Sequence, residues 1–409
     1  MTLALRDGPL PQPPAPDGAR RIALRGLQAE GATLEERWVR ALTALGGALA
    51  AEKAGPPHLV ALSVRTRDPE AFRAVDPWRL DLLYREALGG NFCPTALLED
   101  ASVDLALDAV AHVPPPPKGA IFRGMDAAAL AYAYSPRAQA PAAAQHIAQW
   151  RREGEAFQTA RRTAEIAYGE GPGQRLDLYM PQNAGAGAPP LHVFIHGGYW
   201  QALDKKDHGH FFTAFLEAGV AAAVLNYDLL PKDGLTLDDL SEQARRAVEA
   251  LWRAAPEHGY DRGDITVSGH SAGGHLGAVV AAADWPARAP DLPADLVKGA
   301  VLISGLYDLE PLRLTGLNNA LRMDAATAVR QSPLHMAPAH PLPVLFAVGG
   351  RESAEFHRQS EACAAAWAAR GAATEVLSLD GLDHFTALEA LGDPASELGG
   401  RALRLIAAV

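Results

Sequence analysis

The chain has only two cysteines in 409 residues, Cys93 and Cys363, too few and too far apart for a disulfide framework. It has no surplus of positive charge either. Lysine and arginine number 37 against 48 aspartate and glutamate, a formal net charge of -11, which argues against a nucleic-acid binder. No apolar run approaches the ~18 residues of a membrane span, and the proline-rich start lacks the apolar core of a secretory signal. The expectation is a cytoplasmic protein that neither crosses nor docks on a membrane. Metal-binding patterns are missing: there is no H-E-x-x-H, and the close pair His208 and His210 has no cysteine cluster near it, which suits a helix-start or surface role.

The most informative stretch is Ile265–Ala283, where a β-branched run meets Gly269-His270-Ser271-Ala272-Gly273 and then a small-residue helix pattern. Strand, tight turn and helix are the context of a G-x-S-x-G nucleophile elbow, which makes Ser271 the candidate nucleophile. The two glycines are needed because strand and helix pack closely around the turned serine. A serine hydroxyl needs a base, and the base an orienting acid. In this architecture they follow in the order serine, acid, histidine, so His384, after the run Ala373–Leu377, is the expected base. Glu352, after the run Val344–Val348, stands where the acid belongs; Asp308 and Glu355 are the alternatives, and each of these glutamates could instead serve a helix N-terminus. His270 and His275 are expected to be structural. His196-Gly197-Gly198-Tyr199-Trp200 follows an apolar run as the H-G-G-G loop of esterases does, so Gly197 and Gly198, with Ala272, are the expected oxyanion amides. Tyr199 and Trp200 are read either as walls of an aromatic substrate pocket or as core beneath the loop.

From Leu191 onward, strand and helix patterns alternate, which predicts an α/β fold with a mostly parallel sheet. Gly169–Gly173 reads as a hairpin turn, since no helix follows it to make a phosphate loop. Residues 1–19 read as an extended tail, 20–113 as a small α+β domain, Pro114–Gly119 as a stiff linker and 120–409 as the hydrolase domain. In the small domain, strands are expected at Arg21–Leu27, His58–Thr66 and Val103–Ala109, with helices opening at the Thr33–Glu36 capping box and at Pro77, the latter stopping at Gly89.

Residues 122–409 resemble the arylformamidase (kynurenine formamidase) branch of the α/β-hydrolases. The resemblance is carried by His196–Trp200, Asn226-Tyr227-Asp228, Gly269–His275, Glu352-Ser353, Glu355–Ser360 and Asp383-His384-Phe385. It implies cofactor-free hydrolysis of the formyl amide of N-formylkynurenine, with a carboxylesterase acting on small aryl or alkyl esters as the alternative. Members often carry aspartate at the position of Glu352. Residues 21–113 resemble the RidA-like (enamine deaminase) family in the order of their elements and in the Val60–Asp68 region. That family's active members place an arginine shortly after a proline, whereas here Pro94 is followed by Thr95 and Ala96. The expected role of this domain is therefore homo-oligomer assembly rather than deamination.

Overall fold

A computed structural model describes residues 5–10, 14–16, 18–52, 54–88, 93–113, 119–182 and 187–409. The expected linker prolines 114–117 with Lys118, and the helix stop at Gly89, lie outside the described residues. By contacts the chain divides into two compact units. The first comprises residues 1–128 with the short segments 230–234 and 316–322; the second is the remainder.

In the first unit five strands, β1 (Leu5–Asp7), β2 (Arg20–Gln28), β3 (Leu59–Thr66), β4 (Thr95–Glu99) and β5 (Ala106–Val113), form a mixed sheet in the order β1-β4-β3-β5-β2. The helices Leu34–Ala51 and Pro77–Leu88 supply Trp38, Leu42, Leu45, Leu80 and Tyr84 to the core. The capping box forms, with the Glu36 amide donating to Thr33 Oγ1 at 3.1 Å and the Thr33 amide to Glu36 Oε2 at 3.4 Å. Two features differ from the sequence reading. Leu5–Asp7, inside the expected tail, pairs in parallel with β4; the prolines that deny a ladder its donors lie further along, and Leu5, Arg6 and Asp7 keep theirs. The strand β4 itself, just after Pro94, was too short a pattern to stand out.

In the second unit eight strands form one sheet: β6 (Ala164–Ala167), β7 (Arg175–Tyr179), β8 (Leu191–Ile195), β9 (Ala221–Leu225), β10 (Ile265–His270), β11 (Val297–Ile303), β12 (Pro343–Gly349) and β13 (Ala373–Leu379). Their order is β13-β12-β11-β10-β8-β9-β7-β6. From β9 to β13 all neighbours are parallel, while β6 and β7 form an antiparallel hairpin on the edge. Strands β8, β9 and β10 are buried along their whole length, because helices cover both faces of such a sheet. On one face Trp150, Phe194, Phe212, Phe215, Val301 and Leu388 belong to a single apolar cluster. The fold is that of an α/β-hydrolase, and the ends of β8, β10, β12 and β13 converge on one site. No helix among the described residues is long and apolar enough to cross a membrane.

Candidate active site

At the end of β10 the chain reverses sharply into the helix Ala272–Ala281, and Ser271 sits on the corner with φ 58° and ψ -119°. A non-glycine residue in this region is strained, a condition that persists only where the surroundings impose it. They do so here. A Cβ on Gly269 would fall 2.0 Å from the Gly273 carbonyl oxygen, and one on Gly273 would fall 1.9 Å from that of Ile195. The Ser271 amide is tied to the Ile303 carbonyl at 2.9 Å. Although Ser271 occupies the cap position of the helix, its hydroxyl makes no capping bond, so the oxygen is not consumed by the fold.

Glu352 lies in the turn after β12, and its Oε2 is 2.6 Å from His384 Nδ1. The other oxygen, Oε1, accepts from Ser304 Oγ at 2.5 Å and from the Gly349 amide at 2.8 Å. Both acidic oxygens are thus engaged, and the side chains of His384 and Glu352 are only 6% and 3% exposed. With Nδ1–H donating to a carboxylate, Nε2 keeps its lone pair, the arrangement a general base requires. His384, placed after β13 as its sequence position implied, is the first residue of the helix His384–Gly392. Asp383 caps that helix by accepting from the amides of Phe385 and Thr386.

The two alternative acids are engaged elsewhere. Arg358 Nη2 reaches Asp308 at 3.0 Å and Glu355 at 2.9 Å, and Glu355 also accepts the Tyr134 hydroxyl at 2.7 Å. The sequence placed three carboxylates near the right strands, but not the direction of each side chain, which is what separates Glu352 from the others.

The loop after β8 passes directly beside the nucleophile: a Cβ on Gly197 would lie 3.0 Å from Ser271 Cβ. Gly198, Tyr199 and Trp200 then run through three successive left-handed conformations, with φ of 97°, 51° and 57°. The turn is closed by the amides of Gln201 and Ala202 on the Gly198 carbonyl at 2.9 and 3.1 Å. Tyr227 supports the loop from below, donating its hydroxyl to the carbonyls of His196 and Gly197 at 2.9 and 3.1 Å and stacking on the His196 ring at 4.5 Å. Asn226 meets His196 Nε2 at 3.1 Å. These supports were visible in the sequence only as the unassigned run Asn226-Tyr227-Asp228. Tyr199 is half-buried and its hydroxyl donates to the Tyr134 carbonyl at 2.7 Å. Trp200, expected beside it as a possible pocket wall, is completely buried, edge-on to His275 at 5.1 Å. Its large apolar ring is core beneath the loop.

Three further histidines, His208, His270 and His275, are buried, and loss of solvation lowers the pKa of each. His270, next to the nucleophile, donates Nε2–H to the His384 carbonyl at 2.8 Å, and its ring lies 4.5 Å from that of His384. Burial first, and the neighbouring His384 second, hold its pKa well below the usual histidine value. His275 donates to the Gln331 carbonyl at 2.7 Å, and burial pushes its pKa down to about 4. His208 meets the Asp204 carbonyl at 2.9 Å, and among the described residues no group of three His, Cys, Asp or Glu could hold a metal ion. A small hollow lies against the Glu352–His384 pair, lined also by Pro136, Gln139, Arg351 and Phe356.

A family model described as BD-FAE matches residues 176–288. Kynurenine formamidase of Salmo salar is 33% identical over 240 residues, 57% of this chain and 78% of the relative. That of Danio rerio is 33% identical over 235 residues, 56% of this chain and 76% of the relative. A solved structure, a proposed thioesterase from Silicibacter sp. TM1040, is 33% identical, covers 66% of this chain and 97% of that one, and superposes with a TM-score of 0.58. The chain belongs to the kynurenine formamidase family of α/β-hydrolases.

Proposed function

We propose that the protein is an arylformamidase that hydrolyses the formyl amide of N-formylkynurenine to formate and kynurenine in the cytoplasm. The observation that carries the reading is the 2.6 Å contact of Glu352 with His384 in a chain of this family whose elbow serine lies beside Gly197. Ser271 Oγ attacks the formyl carbon and its proton passes to His384 Nε2, while Glu352 stabilises the imidazolium through Nδ1. The oxyanion is received by the amides of Gly197, Gly198 and Ala272, donors that need no reorganisation as charge develops. Collapse expels the aniline nitrogen, which takes the proton from His384 and leaves a formyl-serine. Water, deprotonated by His384, attacks that ester, and formate departs as Ser271 regains its proton. Tyr199 flanks the acyl site. Formyl is the smallest acyl group, so a nucleophile and base that are each about 95% or more buried can still reach it.

The second reading is a carboxylesterase for small aryl or alkyl esters, because the same nucleophile, base and amides serve an alkoxide leaving group equally. Comparison of kcat/KM on N-formylkynurenine and on p-nitrophenyl acetate, with Ser271→Ala as blank, separates the two. A larger value for the formyl amide, lost in the variant, supports formamidase action. Good ester turnover with little formamide cleavage moves the protein to the esterases.

For the first unit we propose a RidA-like assembly module, a reading supported by its α+β element order and by the absence of the family's arginine after Pro94. Sedimentation equilibrium of the full chain tests it: a trimer supports the reading and a strict monomer overturns it.

A further inference from the structure

Tyr134 lies in the turn between the helices Ala127–Ala133 and Pro136–Gln139, outside every motif that pointed to chemistry. It is 2% exposed, and its two polar ends are engaged by different loops. Its backbone carbonyl accepts the Tyr199 hydroxyl at 2.7 Å, and Tyr199 is the residue directly after Gly197-Gly198. Its own hydroxyl donates to Glu355 Oε2 at 2.7 Å and accepts from Gln359 Nε2 at 2.6 Å, both on the helix that follows Glu352. The neighbouring Ala133 carbonyl accepts Ser353 Oγ at 2.6 Å, so the grip extends to the residue adjoining the acid. Burial, and then the hydrogen bond to Glu355, raise the Tyr134 pKa, which keeps the phenol protonated and able to donate.

The loop that carries Tyr199 has a physical need for such an anchor. Left-handed conformations cost each non-glycine residue roughly 1–2 kcal/mol, and Tyr199 and Trp200 adopt them in succession. Trp200 is held by burial, but half-buried Tyr199 is held at its far end by the bond to Tyr134.

We propose that Tyr134 is a positioning residue that fixes the oxyanion loop and the acid loop relative to each other by holding both at once. The inference rests on the serine-hydrolase reading above. Tyr134 does not touch the substrate; it acts through Tyr199 on one side and through Glu355 and Gln359 on the other. The Tyr199 hydroxyl is consequently engaged on the protein and is not the group that recognises a substrate.

Two single-oxygen deletions test this. Tyr199→Phe removes the bond to the Tyr134 carbonyl, and Tyr134→Phe removes the phenol bridge while keeping ring and carbonyl. Each variant is expected to lower kcat about tenfold on both N-formylkynurenine and p-nitrophenyl acetate, with KM within about twofold, since misplacement of donors slows chemistry more than binding. Labelling of Ser271 by a fluorophosphonate slows in parallel. Because releasing either end frees the same pair of loops, the double variant loses little more than the worse single one. A lower Tm with kcat unchanged in both variants overturns the proposal, since the residue is then merely structural. A rise in KM confined to the aryl formamide in Tyr199→Phe also overturns it, because the hydroxyl then meets substrate. A wild-type protein that turns over neither substrate and takes no label removes the hydrolase reading itself; an active wild type with wild-type-like variants removes only the positioning role.

Discussion

The two units bury polar groups to different extents. In the first, Arg20 pairs with Glu52 at 2.8 Å with both side chains about half exposed, Arg67 pairs with Asp104 at 2.7 Å in the same manner, and a buried pair joins Arg85 to Asp81 at 2.9 Å. In the second, His192, His196, His208, His270, His275 and His384 are all 5% exposed or less. Strained backbone gathers at the candidate site without being confined to it. Tyr199, Trp200, Leu203, Ser271 and Ser304 have positive φ, and each lies in the oxyanion loop, at the elbow or against Glu352, whereas Arg123 and Arg322 adopt positive φ in the first unit. Buried polar groups and strained conformations both cost stability, so their concentration at the ends of a few parallel strands marks where structure serves chemistry.

The comparison is broken most completely at the nucleophile. Ser271→Ala is expected to lower kcat on N-formylkynurenine by on the order of 10⁵- to 10⁶-fold with Tm nearly unchanged, measured by formate release and by thermal melting. Next come the two glutamates of one loop. Glu352→Gln, which loses the charge facing His384, is expected to cost about 10³- to 10⁴-fold in kcat with a small change in KM. Glu355→Gln leaves Arg358 with one carboxylate fewer in a partly buried site and is expected to lower stability by about 1–3 kcal/mol, with a much smaller loss in kcat. Equal kinetic losses would show that the acid is not confined to Glu352.

Acid sharpens the contrast between the units. The folded-state pKa of His275 is about 4, below the ordinary 6.5, and that of His192 is lowered to about 3. Between these values and 6.5 the unfolded chain binds more protons than the folded one, so stability rises with pH across that window and is fully present above it. His275 alone then withdraws about 2 kcal/mol on going from pH 7 to pH 5. Hydrogen exchange followed by mass spectrometry is expected to show loss of protection in β8–β11 over this range, with β3 and β5 changing less. The smallest effect belongs to the first unit's surface: Arg20→Ala is expected to alter stability by no more than ~0.5 kcal/mol in urea melts.

Much of the site was legible because its chemistry is written locally. The elbow needs its serine and glycines within five residues, and the oxyanion glycines directly follow a strand, so Ser271, Gly197 and Gly198 could be singled out from order alone. His384 was found by its place after the last strand, although the Asp383 cap that makes it a helix start went unrecognised. What remained hidden depends on direction and distance. Glu352, Glu355 and Asp308 differ in where their side chains point, and no periodicity encodes that. Tyr134 sits in an alanine-rich stretch that reads as generic amphipathic helix, and its role arises from contacts with residues far along the chain. Trp200 was ambiguous because an aromatic ring after a glycine loop suits a pocket and a core equally. In the first unit, β1 and β4 were missed because three- and five-residue strands carry too little alternation to register.

The contacts beside the candidate acid join segments far apart in the chain: the bond from Tyr134 to Glu355 spans 221 positions of sequence, and that from Ser353 to Ala133 spans 220. During synthesis, therefore, the candidate nucleophile emerges from the ribosome well before Glu352 and His384, and the nascent chain carries an inert serine until both have been delivered.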